Sequence, residues 1–526
     1  MRTSIIVIVL LLLSSCGGGG SGGSAEMHTL SGTVSGLLGT GLVIQNNGGD
    51  DIAITANGSF SFPTQVAEQG SYYVTILSQP TNPDQTCLIG NGSGIIEGAW
   101  LFALNLRVTC NPWTWVSGSN TNFDGEYGIK GVPDTANVPS GREYAVSWPD
   151  TNDNLWLFGG FGYDNNNDSG VFNDLWKFDS TSGNWIWISG SQFVNEVGVY
   201  GTRGVASAAN VPGARQGSVT WTDSSGNLWL FGGDKNSSLY NDLWKFDGSN
   251  WAWISGSNTT GQKGTYGSQG VASISNVPGA RGRTVSWIDV NNKLWLFGGY
   301  GKDSAGVTGS LNDLWKFDPV TTAWTWVSGS DVVNQVGVYG TKGVADAANV
   351  PGARSAAVAW ADSLGNFWLF GGSFRNDLWK FDGTSWTWIS GSDQLSQKGN
   401  YGTIGVAASS NMPGGRSDAV SWVDADNNLW LYGGHGFGVS TASYFLGDLW
   451  KFDGTNWTWT SGEYDQTNRG WYDIEGLTSA LSHPGARAYA TSWVDSNGKF
   501  WLMGGRTYTY AQTNDLWVHE PLYYAP

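Results

Sequence analysis

The chain has 526 residues, of which 78 are glycine and 32 tryptophan, and only 13% are charged. Glycine is at about twice its usual share and charge at about half; the aromatic content excludes a disordered chain, and 15 prolines without a three-residue glycine period exclude collagen. A net charge of −17 argues against a nucleic-acid or anionic-membrane surface, and with four histidines and three cysteines no metal or cofactor site is read from the chain.

The first segment reads as an address. Arg2 precedes an apolar run from Ile5 to Leu13, too short to cross a bilayer of about 30 Å but suited to a signal peptide over residues 1–15. The run ends in Leu13-Ser14-Ser15-Cys16, which resembles the bacterial lipobox. That resemblance implies lipid attachment at Cys16 and a membrane as the first partner, several acyl chains holding where one does not. An ordinary signal peptide with a chance cysteine is the alternative. Residues 16–26 then form a Gly/Ser-rich tether. No aspartate follows Cys16, which by the same resemblance favours the outer membrane or cell surface.

Residues 27–111 carry a single tryptophan, Trp100, and short alternating runs such as Leu30 to Val34 and Tyr72 to Leu77, separated by Asn/Gly turns. The pattern predicts a small antiparallel β-sandwich. In an oxidising compartment Cys87 and Cys110 are expected to form a disulfide; two free thiols are the alternative.

From residue 112 to 526 one unit is written six times. It opens on Arg142, Arg215, Arg281, Arg354, Arg416 and Arg487, and a Gly-Gly pair begins 17 residues after each. An NDLW string follows, with Gly447 replacing the asparagine in the fifth copy and with aspartates Asp174, Asp242, Asp313, Asp377, Asp448 and Asp515, then a W-x-W pair. Each unit reads as four strands with hairpin turns such as Asp223 to Asn227. Tryptophan recurs on every strand, so 30 of the 32 are assigned to packing between units. The six arginines are expected to pair with aspartates or carbonyls between blades, a job for a planar five-donor fork. The pair Trp113/Trp115 lacks a unit and the last unit lacks a pair. Residues 113–116 are therefore expected to supply its outer strand and close the ring.

The arginine, the Gly-Gly pair and the aromatic strands resemble the kelch repeat. The resemblance implies an all-β fold: a six-bladed kelch-type β-propeller behind the small sandwich. The units exceed the usual kelch length of about 50 residues, and the surplus lies in the connector from W-x-W to the next arginine. It is 29 residues once and 30 five times, with a tyrosine 15 residues before each arginine. So constant a length predicts an ordered connector.

The loops between Gly-Gly and NDLW vary most, at 12, 7, 12, 3, 12 and 8 residues. Variable loops on a rigid frame are where binding concentrates. The candidate ligand face is therefore Tyr163, Asp164, Lys235, Tyr300, Lys302, Arg375, His435, Tyr444, Arg506 and Tyr508, against the alternative of solvated loop residues. Asp164-x-Asn166-x-Asp168 superficially resembles a calcium loop but lacks the downstream glutamate. Two functions are weighed: a non-catalytic binding or adhesion module for a glycan or protein ligand, and an epimerase- or mutarotase-like propeller enzyme. By family precedent the second needs only acid/base groups, for which Glu126, Glu143, Glu196, Glu463 and Glu475 are candidates. A copper radical oxidase does not fit, because the propeller has no cysteine and its histidines His435, His483 and His519 lie apart.

Overall fold

The structure, a computed structural model, describes residues 26–37, 39–81, 85–96, 106–110, 112–119, 121, 124–463 and 469–521. The signal segment, Cys16 and all but the last residue of the tether lie outside the described residues. Among the described residues every regular element is a β-strand.

The N-terminal domain packs two four-stranded sheets. One holds Ser31–Ser35, Gly58–Ser61, Arg107–Cys110 and Cys87–Gly90; the other holds Leu42–Asn46, Asp50–Ile54, Ser71–Ser78 and Ser93–Ile95. Alternate residues such as Leu42 and Ile44, or Tyr72 and Val74, turn inward to one core. One pairing differs from the antiparallel expectation: Arg107–Cys110 runs parallel to Ser31–Ser35. Parallel neighbours need a long crossover, here the chain that builds the other sheet, and alternation alone carries no direction. Cys87 and Cys110 stand opposite each other on adjacent strands, joined by a disulfide.

The propeller consists of six antiparallel sheets. The first has Val146–Pro149, Leu155–Phe158, Leu175–Asp179 and Asn184–Ser189 in that order, from axis to rim. First strands of successive blades lie side by side, and Thr491–Val494 of the sixth returns to Val146–Pro149 of the first. Trp113–Ser117 is the outer strand of the sixth blade, with Trp115 opposite Trp517.

The core lies between blades. Trp221 and Trp229 of blade two pack with Leu296, Trp315 and Trp324 of blade three, and equivalent clusters fill the other five interfaces. The largest fully buried side chains are all tryptophan, so the tryptophan surplus belongs to the core. Burying an indole satisfies its N–H as well: Trp148 donates to the Trp229 carbonyl of the next blade at 3.0 Å, and Trp229 to Asp223 in its own hairpin turn at 2.9 Å.

Each long connector runs along the outer edge of the blade that follows it. Gly131 N–H donates to the Trp187 carbonyl at 2.8 Å and Asn137 Nδ2 to the Trp185 carbonyl at 3.0 Å; Gly204 and Asn210 repeat this on Trp253 and Trp251. An exposed edge strand is thereby covered six times. The constant length follows, since the connector must span one rim before returning to the axis. The N-terminal domain rests on the last of these connectors, where Thr109 Oγ1 donates to the Ala480 carbonyl at 2.8 Å.

Candidate functional site at the propeller axis

Each repeat arginine is locked in a buried cluster. Arg142 Nη1 and Nη2 donate to Asp174 Oδ1 and Oδ2 at 2.7 and 2.8 Å, Nη1 also to the Gly159 carbonyl at 2.9 Å, and Nε to the Ser140 carbonyl at 3.0 Å. The connector residue Tyr127 and the strand residue Trp176 donate to Asp174 Oδ2, both at 2.7 Å. The same cluster recurs at Arg215, Arg281, Arg354, Arg416 and Arg487, each with its own aspartate and with Tyr200, Tyr266, Tyr339, Tyr401 and Tyr472. Against the expectation of a bridge between blades, every side-chain pair lies within one blade, because the arginine at the head of strand one faces the start of strand three. Only backbone crosses: Gly160 N–H donates to the Arg215 carbonyl at 2.9 Å. The neighbouring Gly159 sits at φ +66°, where a Cβ would lie 2.6 Å from that same carbonyl. These arginines, all fully buried, therefore build the fold and are closed to a ligand.

Two residues further on, the copies diverge. Tyr144, Gly217, Arg283, Ala356, Asp418 and Tyr489 all have positive φ, between 54° and 65°. Each donates its N–H to the carbonyl of the equivalent residue in the blade before, at 2.8 to 3.1 Å, and Tyr144 closes the hoop on Tyr489. Six backbone hydrogen bonds thus encircle the axis, with six different environments mounted on them. The Tyr144 and Tyr489 rings stack with centroids 4.5 Å apart, and the Arg283 guanidinium lies 4.4 Å from the Tyr144 centroid. Phe445 meets Tyr489 edge-on at 5.9 Å, His435 meets Phe445 at 5.4 Å, and Phe374 meets His435 at 5.4 Å.

Asp418 is the chemically distinct member. It is partly reached by solvent, yet no described group donates a hydrogen bond to its carboxylate. Burial pushes it up to about 7, against the pull of Arg283 and with the help of Glu143. Glu143 is itself buried and raised by burial, with Arg506 at 3.8 Å and Gln512 at 3.5 Å opposing. Burial, followed by the charge of Asp418, pushes Tyr489 up to about 12.

The sequence-derived ligand face is only partly gathered here. His435 belongs to the ring chain, and Arg506 joins it between Glu143 and Tyr510, 5.2 Å from that ring, which in turn contacts Phe445. Tyr163 and Tyr300 are exposed on the hairpins of blades one and three. Asp164 is buried instead, its carboxylate accepting from the backbone of Asn166, Asp168 and Val194 at 2.9 to 3.2 Å. Asp303 does the same in blade three, so the calcium-like spacing is a turn device with its oxygens already engaged. Lys235 donates to the Asn195 carbonyl and Lys302 to that of Gly306. Arg375 sits in the shortest loop, its buried Nε without a partner among the described residues. Tyr444 pairs with Gly436 across the blade-five hairpin, and Tyr508 accepts from Arg469 at 2.9 Å. Of the glutamates weighed, Glu143 reaches the axial set. The residues missed were Tyr144, Arg283, Asp418 and Tyr489. Their signal was available: their column, two residues after the repeat arginine, reads Tyr, Gly, Arg, Ala, Asp and Tyr in the six copies.

A family model described as the KLHDC2/KLHL20/DRC7 Kelch-repeats domain matches residues 202–336. No curated protein matches the chain. Among solved structures, that of YjhT is similar, at 16% identity over 74% of this chain and 95% of that one, with a TM-score of 0.42. The sixfold repeat, the ring of four-stranded blades and the matched segment together make the fold a kelch-type β-propeller.

Proposed function

We propose that the protein is an extracytoplasmic lipoprotein, anchored through Cys16 in the outer membrane or at the cell surface, whose axial propeller mouth binds a glycan without catalysis. The observation that carries this reading is the axial set itself. Stacked tyrosines flanked by a guanidinium and a carboxyl with no hydrogen-bond partner combine apolar faces with polar groups, as sugar rings require. A glycan array probed with the soluble chain, signal removed and Cys16 replaced, tests it. A discrete set of glycans is expected for the wild type and loss of that set for Y144G/Y489G, in which glycine keeps the backbone hoop. An array without hits overturns the glycan reading and leaves a protein ligand.

Asp418 favours one second reading, an epimerase- or mutarotase-like enzyme acting on sugars. A carboxyl titrating near 7 is placed to take up and return a proton at neutral pH. Proton NMR of anomer exchange in free sugars decides: acceleration lost in D418N supports it, and no acceleration by the wild type ends it.

A further inference from the structure

A cavity lies away from the axis, between the N-terminal domain and blades five and six, with a volume of about 490 Å³. Small-molecule sites span roughly 300–1,000 Å³, and none of the axial residues lines this one. Its walls include Trp430, Tyr432 and Trp459. Their polar handles are already engaged, by Asp424, the Gly485 carbonyl and the Ser461 carbonyl at 2.7 to 2.9 Å. They can therefore present only ring surface to an occupant.

The remaining polar lining has the opposite character. Ser482 Oγ, His483 Nδ1 and His519 Nδ1 are buried without a partner among the described residues, and the half-buried Arg107 makes no ion pair or side-chain hydrogen bond there either. These three atoms are closed off from the cavity space itself, so the polar group that can reach an occupant is Arg107. Burial and the positive charges of Arg107 and Arg487 hold His483 down at about 4. Because Arg487 is neutralised by Asp515, Arg107 is the uncompensated charge. Glu463 is exposed at the rim and leaves the interior cationic.

We infer that this interdomain cavity binds a small aromatic carboxylate, its ring against Trp430, Tyr432 and Trp459 and its carboxylate on Arg107. Binding would also fasten the N-terminal domain to the propeller, since both line the cavity.

Isothermal titration of the soluble chain with indole-3-acetate and with its uncharged amide tests the assignment. Saturable binding of the acid is expected. R107Q should weaken the acid about tenfold while leaving the amide within about twofold, as loss of a charge-assisted contact implies. S35W, which fills the cavity from the N-terminal domain, should abolish both, with an unchanged melting midpoint showing that each variant folds. Y144G/Y489G should bind the acid as the wild type does, so failure at the axis and failure here are separable. No saturable heat from the wild type up to about 10 mM, which would leave water as the occupant, overturns the proposal; so does undiminished binding of the acid by R107Q.

Discussion

Arg142 and Tyr144 stand two residues apart, but their columns behave in opposite ways. The six copies of the first are all arginine; the six copies of the second are Tyr, Gly, Arg, Ala, Asp and Tyr. Backbone demand does not explain the difference, because both columns occupy the same place in every blade. The arginine column is set by a buried carboxylate that only a fork of donors can match. The second column needs positive φ, which glycine adopts freely, and only Gly217 complies. Holding any other residue there costs about 1 kcal/mol, and five copies bear it. A hoop serving stability alone would be all glycine. Strain retained at one ring of positions points to use of their side chains.

The contrast can be broken experimentally. The largest effect is expected from D313A, which leaves Arg281 charged and buried without its partner and should cost about 3–5 kcal/mol in urea unfolding. R281M/D313L, which removes both charges, should cost less than D313A; a double variant worse than the single would mean that the cluster does more than hold its blade. W113A should cost about 3–5 kcal/mol and open the ring at its seam, read as new protease cleavage between blades one and six.

A smaller, pH-dependent effect tests the axis. Between its ordinary value and about 7, Asp418 holds its proton in the folded state but not in the unfolded one, so its contribution to stability falls as pH rises through that window. His483 and His519, held down at about 4, act oppositely, losing stability as pH falls from their ordinary value towards 4. The readout is therefore the difference between wild type and D418N: the variant should gain melting temperature relative to wild type as pH is raised from 4 to 7, and parallel curves would show that Asp418 is not perturbed. Smallest of all, A356G should raise stability by about 0.5–1 kcal/mol and leave every binding assay unchanged.

Much of this molecule is legible in one dimension because a repeat turns sequence into geometry. Six arginines, each followed at 17 residues by a Gly-Gly pair and then by a DLW string, imply equivalent blades, and an unpaired W-x-W at one end implies closure. The physics is local: hairpin turns, alternating strands and tryptophans that must be buried. Candidate functional residues were harder to read. Loop variability drew attention to Asp164, Lys235 and Lys302, whose polar atoms turn out to be engaged by the protein's own backbone, while the axial column was hidden beside the most constant residue of the repeat.

By itself, then, the sequence determined the four strands of each blade, the number of blades and the role of tryptophan, because those follow from periodicity and burial. Tertiary structure alone decided which aspartate answers each arginine, that Arg107–Cys110 runs parallel to Ser31–Ser35, and that Asp418 meets Arg283 and Tyr489 at the axis. It also brought His483 and His519, which chain position keeps apart, to the walls of one cavity. The reason is the same in each case: these partners meet through ring closure and domain docking, and contacts between distant segments leave no period in the chain.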